Sequence, residues 1–378
     1  MDYGLTEEQQ LLRDSAHNFL SKECTSTFIR ETMADKKGYS PEMWQKMSEL
    51  GWLGIMFPEQ YGGVEGSFVE LAVLLYEMGY FCLPSPYFST VVSGGLTLLE
   101  AAGEKQKQAL LPEIAAGKRI LTLAWTEAGG SWSASGIELA AKSRNSGYVL
   151  SGTKLFVPFA QAADTLVCAA RTGAAENGVR AGISLFLVDG QMSGLETQAL
   201  ETLAADKPCE VVFSQVVIPA DNLLGDLDQG WPVLEKVRQM AAVAKCAEMS
   251  GGAQRVIDLV VPYTKERIQF GQPIGSFQAV KHHCADMLTL AETSRFMTYQ
   301  AAWQIIQGVG TPKEASKCKA WVSDSYRRLA ALGHQVMGGI GFMEEHDLQL
   351  YFKQAKAAEL AFGDADFHRE LMAGEMGL

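Results

Sequence analysis

No two of the seven cysteines (24, 82, 168, 209, 246, 284 and 318) form a C-x-x-C pair, and their number is odd. That pattern excludes a disulfide framework and a cysteine-ligated zinc site, and it predicts reduced, mostly buried thiols. Basic residues are short against acidic ones, 32 to 44 for a net charge of −12, which argues against nucleic acid as a partner of the whole surface. Histidine is scarce too, and no pair stands at i, i+4 with a carboxylate third ligand, so no metal centre is expected. His282 and His283 fall on different helix faces, and His368 reads as a surface residue of a tail helix. No apolar run reaches membrane length, and the start "MDYGLTEEQQ" is acidic without an apolar signal core. The expectation is a cytoplasmic protein without a membrane span. What the chain does have is size: 378 residues, 47% apolar and 20% charged, suit two or three domains with a substantial core.

The first third carries helical signals. Thr6-x-x-Gln9 is a capping box ahead of an apolar face formed by Leu12, Ala16, Phe19 and Leu20. Ser40-Pro41 is an N-cap and N1 pair, and Gly51 and Gly117 read as stops. The pattern then changes to β-branched and aromatic runs, "YVLSGTKLFVP", "DTLVCAAR", "ISLFLVD" and "CEVVFSQVVIP", broken by glycine turns. These predict an antiparallel β domain, because no stretch between them is a helix long enough for parallel crossovers. From Trp231 the chain is helical again, over about 231–268, 276–307, 312–337 and 347–361 followed by a short tail helix, with Pro262 expected to kink the first. The fold class is therefore mainly α with a central β domain: an N-terminal helical domain (1–118), a middle β-barrel or sandwich (119–228) and a C-terminal four-helix bundle (229–378).

Two stretches hold the candidate chemistry. In "HQVMGGIGFMEEH", Gly339-x-Gly341 is followed by Glu344 where a dinucleotide fingerprint needs its third glycine, and the preceding segment is helical. The Rossmann reading fails on both counts, leaving a tight turn that lets a backbone or ligand approach closely. In "AELAFGDADFHREL", Gly363 suits a left-handed helix end and Asp364 suits the N-cap of the next helix. Capping is the favoured local reading, and the alternative is a loop that holds an acid or base.

Gln335-x-x-Gly338-Gly339-x-Gly341-Phe342 resembles the C-terminal signature of the acyl-CoA dehydrogenases. "ERIQFGQPIGSFQAVKHHCADM" (266–287) is similar to that family's flavin-contacting helix junction, "LAWTEAGGSWSASGIELAA" to its "TEPGAGSD" loop, and "GYVLSGTKLFVP" to its "INGxKxWIT" hairpin. The likeness runs in order along essentially the whole chain. It implies a dimeric or tetrameric flavoprotein that binds FAD across a subunit interface, oxidises the α,β carbons of acyl-CoA thioesters and passes electrons to an electron-transfer flavoprotein. It also implies residue roles. Thr126 would contact the flavin pyrimidine edge, and Arg267 and Phe270, with Gln278 beside them, would meet the neighbouring subunit's FAD. Gln335, Val336, Met337, Gly338 and Gly339 would lie along the FAD pyrophosphate. The chemistry agrees, since guanidinium matches phosphate oxygens and glycine lets backbone close on a diphosphate.

The departures are as informative. The family's usual glutamate base lies 27 positions after the signature glutamine, which here is Phe362; the minority position, 26 before the arginine, is Ala241. Neither side chain accepts a proton, so the catalytic base is unassigned. The hairpin threonine that would bond the flavin is Pro158, and Leu350 stands where a basic residue is expected. The distal FAD positions persist while the flavin-ring and base positions do not. Heteromeric family members, in which one subunit supplies the base, fit that split, and "FGDADFH" resembles the tail of such small subunits, including those of pimeloyl-CoA and steroid side-chain acyl-CoA dehydrogenases. The alternatives are a homo-oligomer with a relocated base, Asp364 or Glu248, and a non-catalytic scaffold subunit.

Overall fold

The computed structural model describes residues 4–145, 147–173, 181–204, 206–309 and 312–378. They form two compact units, each assembled from non-contiguous stretches: 4–30, 67–83 and 239–378 in one, and 31–66 and 84–238 in the other. The elements are α1 (Glu7–Glu23), α2 (Ser26–Ala34), α3 (Pro41–Glu49), α4 (Phe68–Tyr80), α5 (Leu96–Ala101) and α6 (Glu104–Ala115), then strands β1 (Leu121–Ala124), β2 (Ala140–Arg144), β3 (Gly147–Pro158), β4 (Thr165–Arg171), β5 (Ile183–Asp189), β6 (Leu195–Ala199), β7 (Pro208–Pro219) and β8 (Leu223–Leu224). The chain continues with α7 (Gly230–Glu266), a two-stranded turn of β9 (Ile268–Gln269) and β10 (Gln272–Pro273), and α8 (Gln278–Ile306), α9 (Pro312–Met337), α10 (Leu348–Leu360) and α11 (Ala365–Glu375).

The helical unit is built from long amphipathic and buried helices. Its first one starts where the capping box requires: Thr6 Oγ1 accepts the Gln9 N–H at 3.2 Å, and Gln9 Oε1 accepts the Thr6 N–H at 3.0 Å. Helix α7 runs through Pro262 as one element. Helices α4 and α7 meet backbone to backbone. A Cβ on Gly79 would lie 1.9 Å from Glu248 O, and one on Gly251 would lie 1.8 Å from Tyr76 O. Only hydrogen fits at that crossing.

The second unit carries an eight-stranded sheet in the order β6-β7-β3-β2-β4-β5-β8, with β1 alongside β4. Its inner face is a core of Leu150, Val157, Leu166, Cys168, Phe186, Val211 and Phe213, among others. The expectation of a purely antiparallel sheet is corrected here: β1 pairs β4 in parallel, Leu121 opposite Thr165 through Ala124 opposite Cys168. The β2–β3 hairpin lies between them in sequence, so a hairpin rather than a helix makes the crossover, and no helical stretch announces it.

Among the described residues, no helix is long and apolar enough to cross a membrane, and no cluster of His, Cys, Asp or Glu could hold a metal ion. Six of the seven cysteines are buried and all are free.

Candidate active site

In the sheet unit, two sequence stretches that looked like separate motifs are joined by a buried ion pair. Lys154 on β3 is fully buried, and its Nζ donates to Trp125 O at 2.8 Å and to Glu127 Oε1 at 2.7 Å. The same carboxylate oxygen accepts the N–H groups of Glu138 and Leu139, both at 3.0 Å. A charge so deeply placed is tolerable because an opposite charge and a main-chain carbonyl meet it. Between these anchors sits Thr126, whose Oγ1 donates to Leu155 O at 2.5 Å while its own carbonyl accepts the Leu155 N–H at 2.9 Å. The Trp125 Nε1–H beside it is buried without a hydrogen-bond partner among the described residues. Phe156 is more than half exposed with φ +55°, at the irregularity between Lys154 and Val157 in the β3–β7 ladder.

In the helical unit the signature residues divide by direction. Arg267 and Gln278 are exposed, and Phe270 is 92% exposed at the tip of the β9–β10 turn, with φ +51° and its ring edge-on to Phe277. Gln335 and Gly339 are exposed, whereas Val336 and Met337 turn into the core and leave only backbone for an external ligand. Gly338 takes φ +62°, and a Cβ at either Gly338 or Gly339 would meet nothing within 4 Å. The turn therefore offers bare backbone to its surroundings.

The base positions are occupied as the sequence says. Ala241 is fully buried inside α7, and Phe362 is buried between α10 and α11. Asp364 is the N-cap of α11: its Oδ1 accepts the Phe367 N–H at 2.8 Å, and Gly363 before it has φ +100°. The capping reading of this loop holds. Glu248 has both oxygens engaged, Oε2 by Lys245 Nζ at 2.6 Å and Oε1 by Gln354 Nε2 at 3.0 Å.

Two residues were misread or missed. His368 is fully buried rather than a surface residue, with Nδ1 3.1 Å from Ser316 Oγ and Nε2 3.1 Å from Phe362 O. The i+4 step after Asp364 turns it inward. Lys319, also fully buried, bonds Ser323 Oγ, Glu359 O and Gly363 O, each at 2.9 Å. Burial pushes its ammonium down to about 8. A signal existed: Lys319 falls at helical spacing between buried Ala315 and buried Ser323, on the inner stripe of α9.

Three domain models of the acyl-CoA dehydrogenase family match the chain: the N-terminal domain over residues 6–118, the middle domain over 122–216 and the C-terminal domain over 228–377. The chain belongs to the acyl-CoA dehydrogenase family. This acyl-CoA dehydrogenase is 31% identical over 382 residues to the probable acyl-CoA dehydrogenase YngJ of Bacillus subtilis, covering all of both chains. It superposes on butyryl-CoA dehydrogenase from Megasphaera elsdenii with a TM-score of 0.93 at 26% identity, again covering both chains fully. The ChsE4-ChsE5 complex from Mycobacterium tuberculosis contains a chain matched with a TM-score of 0.89 at 26% identity, over 100% of this chain and 99% of that one. Members of the family are FAD-dependent oxidoreductases acting on CH–CH donors, and the mainly helical fold with its central sheet domain is theirs.

Proposed function

We propose that this acyl-CoA dehydrogenase is one subunit of a heteromeric enzyme, in which a related partner subunit supplies the base that removes the α-proton of a bulky or dicarboxylic acyl-CoA. The observation that carries the reading is the pair of side chains at the two base positions, a phenyl ring at 362 and a methyl group at 241. The two carboxylates considered as replacements are committed elsewhere, Asp364 to capping α11 and Glu248 to Lys245 and Gln354. Proton abstraction needs a basic side chain within reach of the carbon, and that geometry is the first condition. Likeness to a chain of the two-component ChsE4-ChsE5 complex supports the same reading.

FAD, when bound, supplies the acceptor for the β-hydride. The residues present fit its distal half. Arg267 is exposed, and its guanidinium makes no ion pair or hydrogen bond among the described residues. The open backbone at Gly338 and Gly339 is the cradle a diphosphate needs, since a side chain there would fill it. We assign Arg267, Phe270 and Gln278 to the FAD held by a neighbouring subunit, and Gln335 to Gly339 to its pyrophosphate, with Val336 and Met337 contributing main chain. Thr126, with its hydroxyl proton given to Leu155, would meet the flavin through its remaining lone pair or its backbone. Electron-transfer flavoprotein is the expected oxidant, and residues 1–118, 119–228 and 229–378 are the domains we assign.

Co-expression with a related acyl-CoA dehydrogenase subunit from the same host tests the reading. The complex is expected to be yellow and to oxidise acyl-CoA, and the chain alone to be inactive. Full turnover by the purified chain with stoichiometric FAD would overturn the proposal, and a colourless, inactive complex would make the chain a scaffold. Asp364→Asn, which keeps an N-cap, is expected to leave the complex fully active; loss of activity would restore Asp364 as a relocated base.

A further inference from the structure

Position 362 is unusual in conformation as well as in chemistry. Phe362 has φ +59°, a left-handed backbone that a bulky residue rarely adopts, and its side chain is only 7% exposed. Gly363 follows in a positive-φ conformation, with Phe367 filling the space a Cβ would need. Nothing in the local sequence favours a left-handed phenylalanine. The restraint comes from two fully buried polar side chains on two other helices.

Lys319 reaches from α9 and donates to Glu359 O, in the last turn of α10, and to Gly363 O, with Ser323 Oγ as its third acceptor. Three acceptors match the three N–H bonds of an ammonium. His368 reaches back from α11, and its Nε2 lies 3.1 Å from Phe362 O. Carbonyl oxygens accept only, so that nitrogen carries the proton and Nδ1 accepts from the Ser316 hydroxyl at 3.1 Å. Two consecutive carbonyls, those of Phe362 and Gly363, are thus held by side chains of two different helices. An amine buried at this depth carries a desolvation cost that an apolar residue in the same space would avoid. Its bonds to main-chain oxygens are what it offers in return.

We propose that Lys319 and His368 are positioning residues that pin the Phe362–Gly363 carbonyls and so keep the Phe362 ring as a fixed wall of the acyl site. The proposal rests on the reading that position 362 is where the α-proton base of the family stands. Because the clamp grips main chain, it acts whatever side chain is present, and in this chain it holds a ring where a carboxylate would reach the thioester. The wall would then set which acyl groups fit, and would do so rigidly.

Amide hydrogen exchange over residues 359–368 of the full-length chain tests the clamp through a double-mutant cycle with Phe362→Asn. Asparagine accepts the left-handed region far better than phenylalanine, so a loop carrying it needs the clamp less. Lys319→Met is expected to speed exchange of this segment tenfold or more in the parent, and less than threefold in the Phe362→Asn background. Equal factors in the two backgrounds would make Lys319 an ordinary core residue and overturn the proposal. Should Lys319→Met fail to fold, His368→Leu serves in the same cycle with the same expected factors. Exchange needs no turnover, so this outcome is independent of the reconstitution assay that decides whether a partner subunit is required.

Discussion

Glu127 and Lys154 lie 27 positions apart in what read as two unrelated motifs, yet they form one buried pair that holds the Trp125–Glu127 segment against β3. Removing the cation alone would strand a largely buried carboxylate. Lys154→Met should therefore destabilise the chain by about 3 kcal/mol, read from denaturant unfolding. Glu127→Gln combined with it should cost less than the sum of the singles, because the two share one interaction. Lys319 yields a pH prediction of definite sign. Its folded ammonium titrates at about 8 against an ordinary 10.5, burial being the largest cause. Between those values the unfolded chain binds the extra proton, so the Lys319 contribution to stability rises with pH across that window, by up to ~3 kcal/mol. The stability difference between parent and Lys319→Met, followed from pH 7.5 to 10.5, should climb accordingly; a flat difference would refute the assignment. Lys319 was legible in principle, since it sits on the inner stripe of α9 by simple periodicity, whereas β3 is irregular on both sides of Lys154 and its burial does not alternate. Habit places lysine outside, and only the acceptors brought by other segments make the inside tenable.

At the scale of elements, the helices were legible and the sheet less so. Thr6, Ser40, Gly117 and Asp364 mark their ends by local chemistry, because a cap is a bond between residues three apart and the sequence contains both partners. Helix α9 begins and ends at the residues its pattern predicts, 312 and 337. The parallel pairing of β1 with β4 was not legible, since a four-residue buried strand carries no sign of its neighbour's direction. The glycines of the α4–α7 crossing were invisible for the same reason, with each one's partner carbonyl lying on the other helix. Gly251→Ala would place a methyl group 1.8 Å from Tyr76 O. The two helices cannot part without opening the core, so a loss of about 3 kcal/mol or more is expected in thermal or chemical unfolding.

For the whole molecule, the most telling surface feature is the apolar tip of the β9–β10 turn, where Ile268 is 59% and Phe270 92% exposed on a chain of net charge −12. An exposed ring on a tight turn contributes little to the folding of its own chain. Phe270→Ser should change the stability of the isolated chain by less than about 0.5 kcal/mol. In the proposed assembly, where Phe270 meets a neighbouring subunit's flavin, the same change should lower FAD retention on gel filtration by tenfold or more. Unchanged retention would remove Phe270 from the interface.

The sequence by itself determined the family, the helix–sheet–helix order, the caps and the absence of a carboxylate at positions 241 and 362, because motifs, periodicity and residue identity are properties of the chain in one dimension. Tertiary structure alone decided that Glu248 also meets Gln354, that His368 faces inward, and that Lys319 ends on the loop after α10. Those outcomes depend on which donor meets which acceptor across elements far apart in sequence. A buried polar group is settled only when its partners arrive.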